Sequence, residues 1–363
     1  MRQPLAKVPL GSRSGLTVSR VGFGSAPLGD FFEKLDEREA NATVEAAFAA
    51  GITLVDTSPH YGNGLAEHRI GTALRSVPRD SIVLSTKIGR VMNPATRRGG
   101  PAPAPARGFV GSLPHRPIFD YSYDGVMRAF EQSLLRLGTD RIDILLIHDI
   151  DAWTHGEDQV EARYREALDS GYRALDQLRA EGTVRAIGLG LDDHDWCERF
   201  LREAEFDAIL LAGRYSLLEQ PALPTLLPLA LKQGVGVMLG GIFNSGILAT
   251  GAVAGARYNY EAAPPEIMTR VARIEAVCRE HDVPLARAAV QFVLGHPAIS
   301  SLVLGAVKPA EVERNLAALD DPVPSTLWSD LKNEGLLDPA APTPPDHTEN
   351  KKEHPLLRPG EIA

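Results

Sequence analysis

The chain predicts an α/β fold, a (β/α)8 or TIM barrel, and three observations carry that prediction. Eight short apolar runs, VGFGSA, TLVDTS, IVLSTK, IDILLIH, RAIGLGL, AILLAG, GVGVMLG and SLVLGA, read as strands. Between and after them, residues 37–50, 66–75, 125–137, 171–181, 195–204, 223–232, 266–281 and 310–319 carry apolar residues at i, i+3, i+4 spacing and read as helices. The two kinds of segment alternate strictly, and Gly51, Gly138, Gly182 and Gly234 follow four of the helical stretches as stop signals.

Each element can be justified in turn. VGFGSA is glycine-rich, but a proline and an acidic residue follow before any helix begins. That spacing fails the dinucleotide fingerprint of an open doubly wound sheet, in which the first strand turns straight into a helix. TLVDTS and IVLSTK end on Asp56 and Lys87, and IDILLIH ends on His148. Residues 91–124 interrupt the pattern after the third strand with Pro, Gly and Arg, which places a long loop on the side of a barrel where loops set specificity. Residues 93–107 of this loop are expected to be a disordered surface insertion. The aromatic PHRPIFDYSYD is expected to be ordered and to wall a pocket. One domain is expected over 1–337. The proline-rich, charged stretch 338–363 reads as a disordered tail.

Composition narrows the partners. The 363 residues are 44% hydrophobic and 23% charged, ample for a globular core. A net charge of −9 repels phosphate backbones and anionic lipid surfaces, so neither nucleic acid nor membrane is expected as a partner. No apolar run reaches the roughly 18 residues of a membrane span, and MRQPLAKVPLGSRSG lacks the apolar centre of a secretory signal; a cytoplasmic protein is expected. The two cysteines, Cys197 and Cys278, read as reduced thiols. Cys278 and His281 lack the partners of a zinc site, and no metal is expected.

The most informative stretch is LVDTSPHYG, in which Asp56 ends an apolar run and Tyr61 follows five residues later. Singly, Asp56, Tyr61, Lys87 and His148 have plain structural roles: a helix cap, a loop anchor, a solvated strand end and a core histidine. Together they occupy equivalent ends of the second, third and fourth strands, where a barrel builds its site. In that order and context they resemble the catalytic tetrad of the aldo-keto reductases. GFGSAPLG, GLAEHRIGTALR, LLRLGTDRIDILLIH and NSGILATG extend the resemblance over roughly residues 15–320. FDYSYDGVMRAFEQSLLRLG and HDIDAWTHG are similar to the bacterial branch that oxidises aldoses or pyridoxal.

The resemblance implies hydride transfer between a nicotinamide cofactor and a small-molecule carbonyl or hemiacetal. A proton must then move at the substrate oxygen. Tyr61 would move it, Lys87 would lower the phenol's pKa, Asp56 would keep Lys87 charged, and His148 would bond the oxygen. It also implies a dinucleotide across the strand ends, near Gly24 and Ser25. Its pyrophosphate would lie on the loop Asn244, Ser245, Gly246, Ile247 and Leu248, and its adenosine at the eighth unit, with Asn315 at the adenine. Gly305 and Glu311 stand where relatives that favour NADP place cations, so NAD is expected over NADP, although Lys308 and Arg314 are nearby.

Two departures from the family pattern affect the nicotinamide. Gly190 and Leu191, with Asp192 next, replace a Ser-Asn pair. Gly240 replaces a stacking aromatic, for which Phe243 is expected to substitute. His60, Phe119, Tyr121, Trp153 and His155 are the expected substrate contacts. An NAD preference favours the oxidative direction. The rival class is a cofactor-binding sensor or regulatory subunit on the same barrel with little turnover. A barrel hydrolase would need a carboxylate or metal constellation, which His148 and Asp149, expected on opposite sides of a strand, would not form.

Overall fold

The computed structural model of the protein describes residues 5–94 and 108–345. A hairpin of β1 (Lys7–Pro9) and β2 (Thr17–Ser19) leads into the first barrel strand, β3 (Val21–Gly24). Next come α1 (Glu37–Ala49), β4 (Leu54–Asp56), α2 (Leu65–Leu74) and β5 (Val83–Ile88). An antiparallel ribbon of β6 (Arg90–Pro94) and β7 (His115–Phe119) precedes α3 (Tyr123–Leu137) and β8 (Ile144–His148). After β8 the chain forms α4 (Ala152–His155), α5 (Val160–Glu166) and α6 (Tyr172–Ala180). Alternation resumes with β9 (Ala186–Leu191), α7 (His194–Glu203), β10 (Ala208–Ala212), α8 (Leu226–Gln233), β11 (Gly236–Gly240) and α9 (Ile247–Thr250). The small hairpin β12 (Arg257–Tyr258) and β13 (Glu261–Ala262), then α10 (Pro265–Glu280) and α11 (Leu285–Leu294), lead to β14 (Ile299–Gly305), α12 (Pro309–Ala317) and α13 (Ser325–Asn333).

Strands β3, β4, β5, β8, β9, β10, β11 and β14 close into a barrel in which every neighbouring pair is parallel. This is the (β/α)8 fold that the alternation predicts. Strand side chains alternate between the two faces. Val55, Leu84, Leu145, Ile147, Ile187 and Leu189 point outward into the large core shared with the helices. Leu54, Ile144, Leu146, Ala186, Leu210 and Met238 point inward and pack with Leu10, Leu16 and Val18 of the N-terminal hairpin, which plugs one end. Two residues beyond Leu54 and Leu146, in the same inward phase, come Asp56 and His148.

Several features go beyond the sequence pattern. The hairpin, α11 and α13 were not anticipated. α11 lies between the helix predicted over 266–281 and the last strand, and α13 packs on α10. Residues Asn93 and Pro94, expected to begin the disordered insertion, instead end β6, in register with Arg116 and His115. Residues 95–107 lie outside the described residues. The stretch 338–363 was expected to lack fixed structure, but residues 338–345 pack on the barrel. Lys332 Nζ donates to the carbonyls of Pro339 at 3.1 Å and Ala341 at 2.8 Å, and Ala341 is buried. The rest of that tail lies outside the described residues.

Candidate functional site

At the carboxyl ends of the strands the inward positions become small: Gly190, Ala212 and Gly240. A cavity of about 340 Å³ opens above them, lined by Tyr61, Lys87, His148, Asp149, Gly190 and Asp192 among others. A Cβ at Gly190 would stand 3.2 Å from Lys87 Cε, so glycine there leaves room beside the lysine.

Asp56 and Lys87 are 2% and 1% exposed and form a buried ion pair. Lys87 Nζ donates to Asp56 Oδ2 at 2.6 Å and to the Thr57 carbonyl at 2.8 Å, and Ser85 Oγ donates to Asp56 Oδ1 at 2.8 Å. Burial raises the Asp56 carboxyl against the opposing pull of Lys87 and Ser85. Tyr61 sits on the loop after β4. There Ser58 Oγ accepts from His60 N–H and the Ser58 carbonyl accepts from Tyr61 N–H, folding SPHY into a turn. The Tyr61 ring stacks on Phe109, with centroids 6.0 Å apart, and lies 4.8 Å from Lys87 Nζ.

The expected lowering of the Tyr61 pKa by Lys87 is not what this geometry gives. Burial pushes the phenol well above its ordinary value, and Asp56 adds to the shift. The Lys87 ammonium is taken up by Asp56 and Thr57. Tyr61 is therefore a neutral phenol in the free protein.

His148 is buried and faces Tyr61, with ring centroids 6.1 Å apart at 87°. Burial pushes its pKa well below the ordinary value against the opposing pull of Asp149, and Lys87 and Arg90 push it the same way as burial, so the ring is neutral. Its Nδ1 lies 3.2 Å from Ser58 Oγ and 3.3 Å from Arg90 Nη1. Its Nε2 lies 3.2 Å from Asp149 Oδ1. Asp149 was expected on the opposite side of the strand. It instead follows the strand's last residue with φ +50°, a left-handed conformation that turns its carboxylate back over the histidine and into the cavity. Arg90 Nη1 donates to Asp149 Oδ2 at 2.7 Å. Burial works against the Asp149 carboxylate, but its contacts with His148 and Arg90 hold its pKa below the usual carboxylate range.

The expected substrate contacts divide. His60 and Trp153 line the cavity. Tyr121 is fully buried and donates to the His148 carbonyl at 2.7 Å. His155 Nε2 donates to the Asp149 carbonyl at 2.9 Å, and Phe119 lies under the Arg90 guanidinium. These three build the wall behind Asp149 and do not line the cavity. The prolines and aromatics of PHRPIFDYSYD predicted the order of Phe119 and Tyr121 but not their facing.

The expected cofactor contacts also divide. Gly190 and Asp192 line the cavity, and burial, with Asp151 and Asp149, pushes Asp192 up to about 7. Ser25 Oγ, directly after the first barrel strand and next to Gly24, and Asn244 Oδ1 are buried with no hydrogen-bond partner among the described residues. Ser245 Oγ accepts from Tyr260 N–H at 2.9 Å, and Gly246 takes φ +99° before the short α9. Ile247 and Leu248 bury their side chains in the core, leaving only backbone to a ligand. Phe243 also packs on the core. Among the rings that do line the cavity is Tyr260, stacked on Trp153 with centroids 6.4 Å apart.

At the eighth unit a Cβ on Gly305 would stand 2.8 Å from Pro27 Cγ, so this backbone has no room for a side chain. Glu311 accepts from Val307 N–H at 2.8 Å, and Asn315 Nδ2 donates to the Gly305 carbonyl at 3.1 Å. Sequence reading missed Arg90, Phe31, Phe32, Phe109 and Tyr260, and gave Asp149 no place in the site. The adjacent phenylalanines after APLGD and the acid directly after His148 were the available signals.

A closed parallel barrel carrying, at the carboxyl ends of its strands, a cavity lined by aromatic rings and a few convergent ionisable groups defines the class of a (β/α)8 enzyme. The chain belongs to the aldo/keto reductase family, whose model matches residues 20–333, and it is an oxidoreductase. It is 41% identical over 331 residues to a pyridoxal 4-dehydrogenase of Microbacterium luteolum, covering 90% of this chain and 96% of that one. It is 40% identical over 339 residues to a D-threo-aldose 1-dehydrogenase of a Pseudomonas species, covering 93% and 98%. Among solved structures, the holo form of an aldo-keto reductase from Bacillus halodurans matches with a TM-score of 0.66 and 25% identity, covering 91% of this chain and 96% of that one.

Proposed function

We propose that the protein is an NAD-dependent dehydrogenase of aldoses or pyridoxal, with Tyr61 moving the proton and Asp56, Lys87 and His148 supporting it. The observation that carries this reading is the gathering of Tyr61, Lys87 and His148 on one cavity, with Asp56 locked behind Lys87. A bound nicotinamide supplies the hydride acceptor in the oxidative direction. In the oxidative direction Tyr61 first releases its own phenol proton to solvent and then, as tyrosinate, takes the proton of the substrate hydroxyl, while neutral His148 orients that oxygen through Nε2–H. The Lys87 ammonium, 4.8 Å from the Tyr61 ring, opposes the upward pull of burial on the phenol only in part, since Asp56 and the Thr57 carbonyl already hold it.

Ser25, Asn244, the backbone of 245–248 and the pocket face of Gly190 and Asp192 would hold the dinucleotide. NAD is favoured over NADP because Gly305 offers no cation and Glu311 presents an acid. Arg314 is partly neutralised, with Nη2 3.9 Å from Glu311 Oε1. The two dehydrogenase relatives at about 40% identity support the substrate class, an aldose of the L-fucose or D-threo type oxidised to a lactone, or pyridoxal. The substrate is a soluble small molecule and the place of action the cytoplasm. No helix among the described residues is long and apolar enough to cross a membrane.

The test is the appearance of reduced nicotinamide absorbance with NAD or NADP against L-fucose, D-arabinose, L-galactose, pyridoxal and a simple alcohol. Reduction of NAD by a sugar or by pyridoxal is expected. Cofactor binding without turnover of any member of the panel overturns the assignment.

A further inference from the structure

The Asp149 carboxylate is bonded differently at its two oxygens. Oδ2 is held by Arg90 Nη1 at 2.7 Å, while Oδ1, on a side chain that lines the cavity, meets among the described residues only His148 Nε2, at 3.2 Å. A guanidinium can donate but cannot accept, so the 3.3 Å contact from Arg90 Nη1 to His148 Nδ1 makes Nδ1 the acceptor and places the ring proton on Nε2. In the free protein that proton points at Asp149 Oδ1. The backbone that puts the carboxylate there is left-handed, and Tyr121 Oη and His155 Nε2 hold it through the carbonyls of His148 and Asp149. A strained, multiply braced acid facing a cavity calls for a functional reason.

Substrate binding changes this arrangement. A reacting oxygen that takes the His148 Nε2–H removes the donor from Asp149 Oδ1. A shielded carboxylate oxygen left without a donor carries a desolvation penalty. A hydroxyl on the carbon next to the reacting carbon restores the missing bond, because it lies one carbon from the oxygen that displaced the donor.

We infer that Asp149 is a specificity-determining residue that reads a hydroxyl adjacent to the reacting carbon, and that Arg90 positions it. The inference rests on the proposed oxidation of an aldose and narrows it to substrates with a vicinal hydroxyl. Asp149 is neither an acid nor a base in this role. It exchanges one hydrogen-bond donor, the histidine, for another, the substrate.

The experiment compares kcat/KM for D-arabinose with that for 2-deoxy-D-ribose, the same sugar without the hydroxyl at C2, in the parent protein and in Asp149→Asn. Arg90 would draw the amide oxygen toward itself and leave the amide N–H2 facing His148 and the substrate, a donor where the parent offers an acceptor. The parent is expected to prefer the hydroxylated sugar by roughly 10- to 100-fold. The ratio is expected to fall to about 1 in Asp149→Asn, since a merely structural loss lowers both substrates together. Asp149→Gly, which adopts a positive φ freely, gives the same reading if the amide disturbs folding. Arg90→Gln is expected to lower the ratio while leaving the Kd for NAD unchanged.

A parent that oxidises both sugars equally, or a ratio that survives in both Asp149 variants, overturns the inference and leaves the proposed function standing. A parent that oxidises no aldose overturns the proposed substrate. The inference is then decided in the reductive direction with NADH, by lactaldehyde against propionaldehyde. Equal reduction of that pair, or reduction of neither, overturns it.

Discussion

Replacing Lys87 by methionine separates what the buried pair does for the fold from what it does for the reaction. Methionine keeps most of the side-chain volume and removes the ammonium. Asp56, 2% exposed, then retains one donor, Ser85 Oγ, and the Thr57 carbonyl loses the lysine's bond. Breaking a buried pair by deleting one partner costs about 3–5 kcal/mol, because the other charge stays buried without compensation. That is a large share of the roughly 5–15 kcal/mol that keeps a domain folded. The sign with pH follows from the same charge. In the variant the Asp56 pKa rises further above its unfolded value, so the penalty grows as pH rises above that unfolded value and is absent below it, where the carboxyl is protonated in both states.

Asp56→Asn together with Lys87→Met removes both charges and is expected to recover most of the lost stability, as neutral replacements of buried pairs generally do. Turnover is expected to stay lost in both variants. Urea unfolding at about pH 5 and pH 8 gives the stabilities, and the dehydrogenase assay gives the turnover. A Lys87→Met protein as stable as the parent at pH 8, or a double variant with near-normal turnover, refutes the reasoning.

Two further predictions concern the same cavity. Tyr61→Phe is expected to bind NAD with unchanged Kd by fluorescence titration and to lose at least about 100-fold in kcat, the usual contribution of a positioned proton donor; near-normal turnover removes Tyr61 from the proton transfer. Asp192, raised in the fold from 3.8 to about 7, leaves stability intact below the lower value and costs stability fully above the higher one. Asp192→Asn is therefore expected to unfold at higher urea than the parent at about pH 8, by up to about 4 kcal/mol, and to match it at about pH 3.5. A stability difference that does not change with pH refutes the buried acid.

Tyr61 and Asp149 show where reading the chain succeeds and where it stops. Asp56, Lys87 and His148 were legible because each ends an apolar run, and strand parity carries the face of Leu54 and Leu146 two residues onward to Asp56 and His148. Tyr61 was legible because a short turn built on Ser58 ties it to the same strand. Asp149 was misread because the parity rule was carried one residue past the strand, where the backbone turns left-handed and reverses the side chain. Phe119, Tyr121 and His155 are expected from the sequence as substrate contacts, but they stand behind Asp149 and do not line the cavity. Which way they face depends on the pairing of β6 with β7 and on α4.

The sequence by itself determined the barrel, its strand boundaries within a residue or two, and the residues standing at the strand ends. Those follow from local periodicity, since a period of two or of 3.6 is written in neighbouring residues. Tertiary structure alone decided that Arg90 and Asp149 join His148, that Tyr260 rather than Phe243 offers a ring to the cavity, and that burial keeps Tyr61 neutral beside a lysine already paired. Each of these depends on groups brought together from distant parts of the chain and on the loss of water around them, and neither leaves a periodic trace in the sequence.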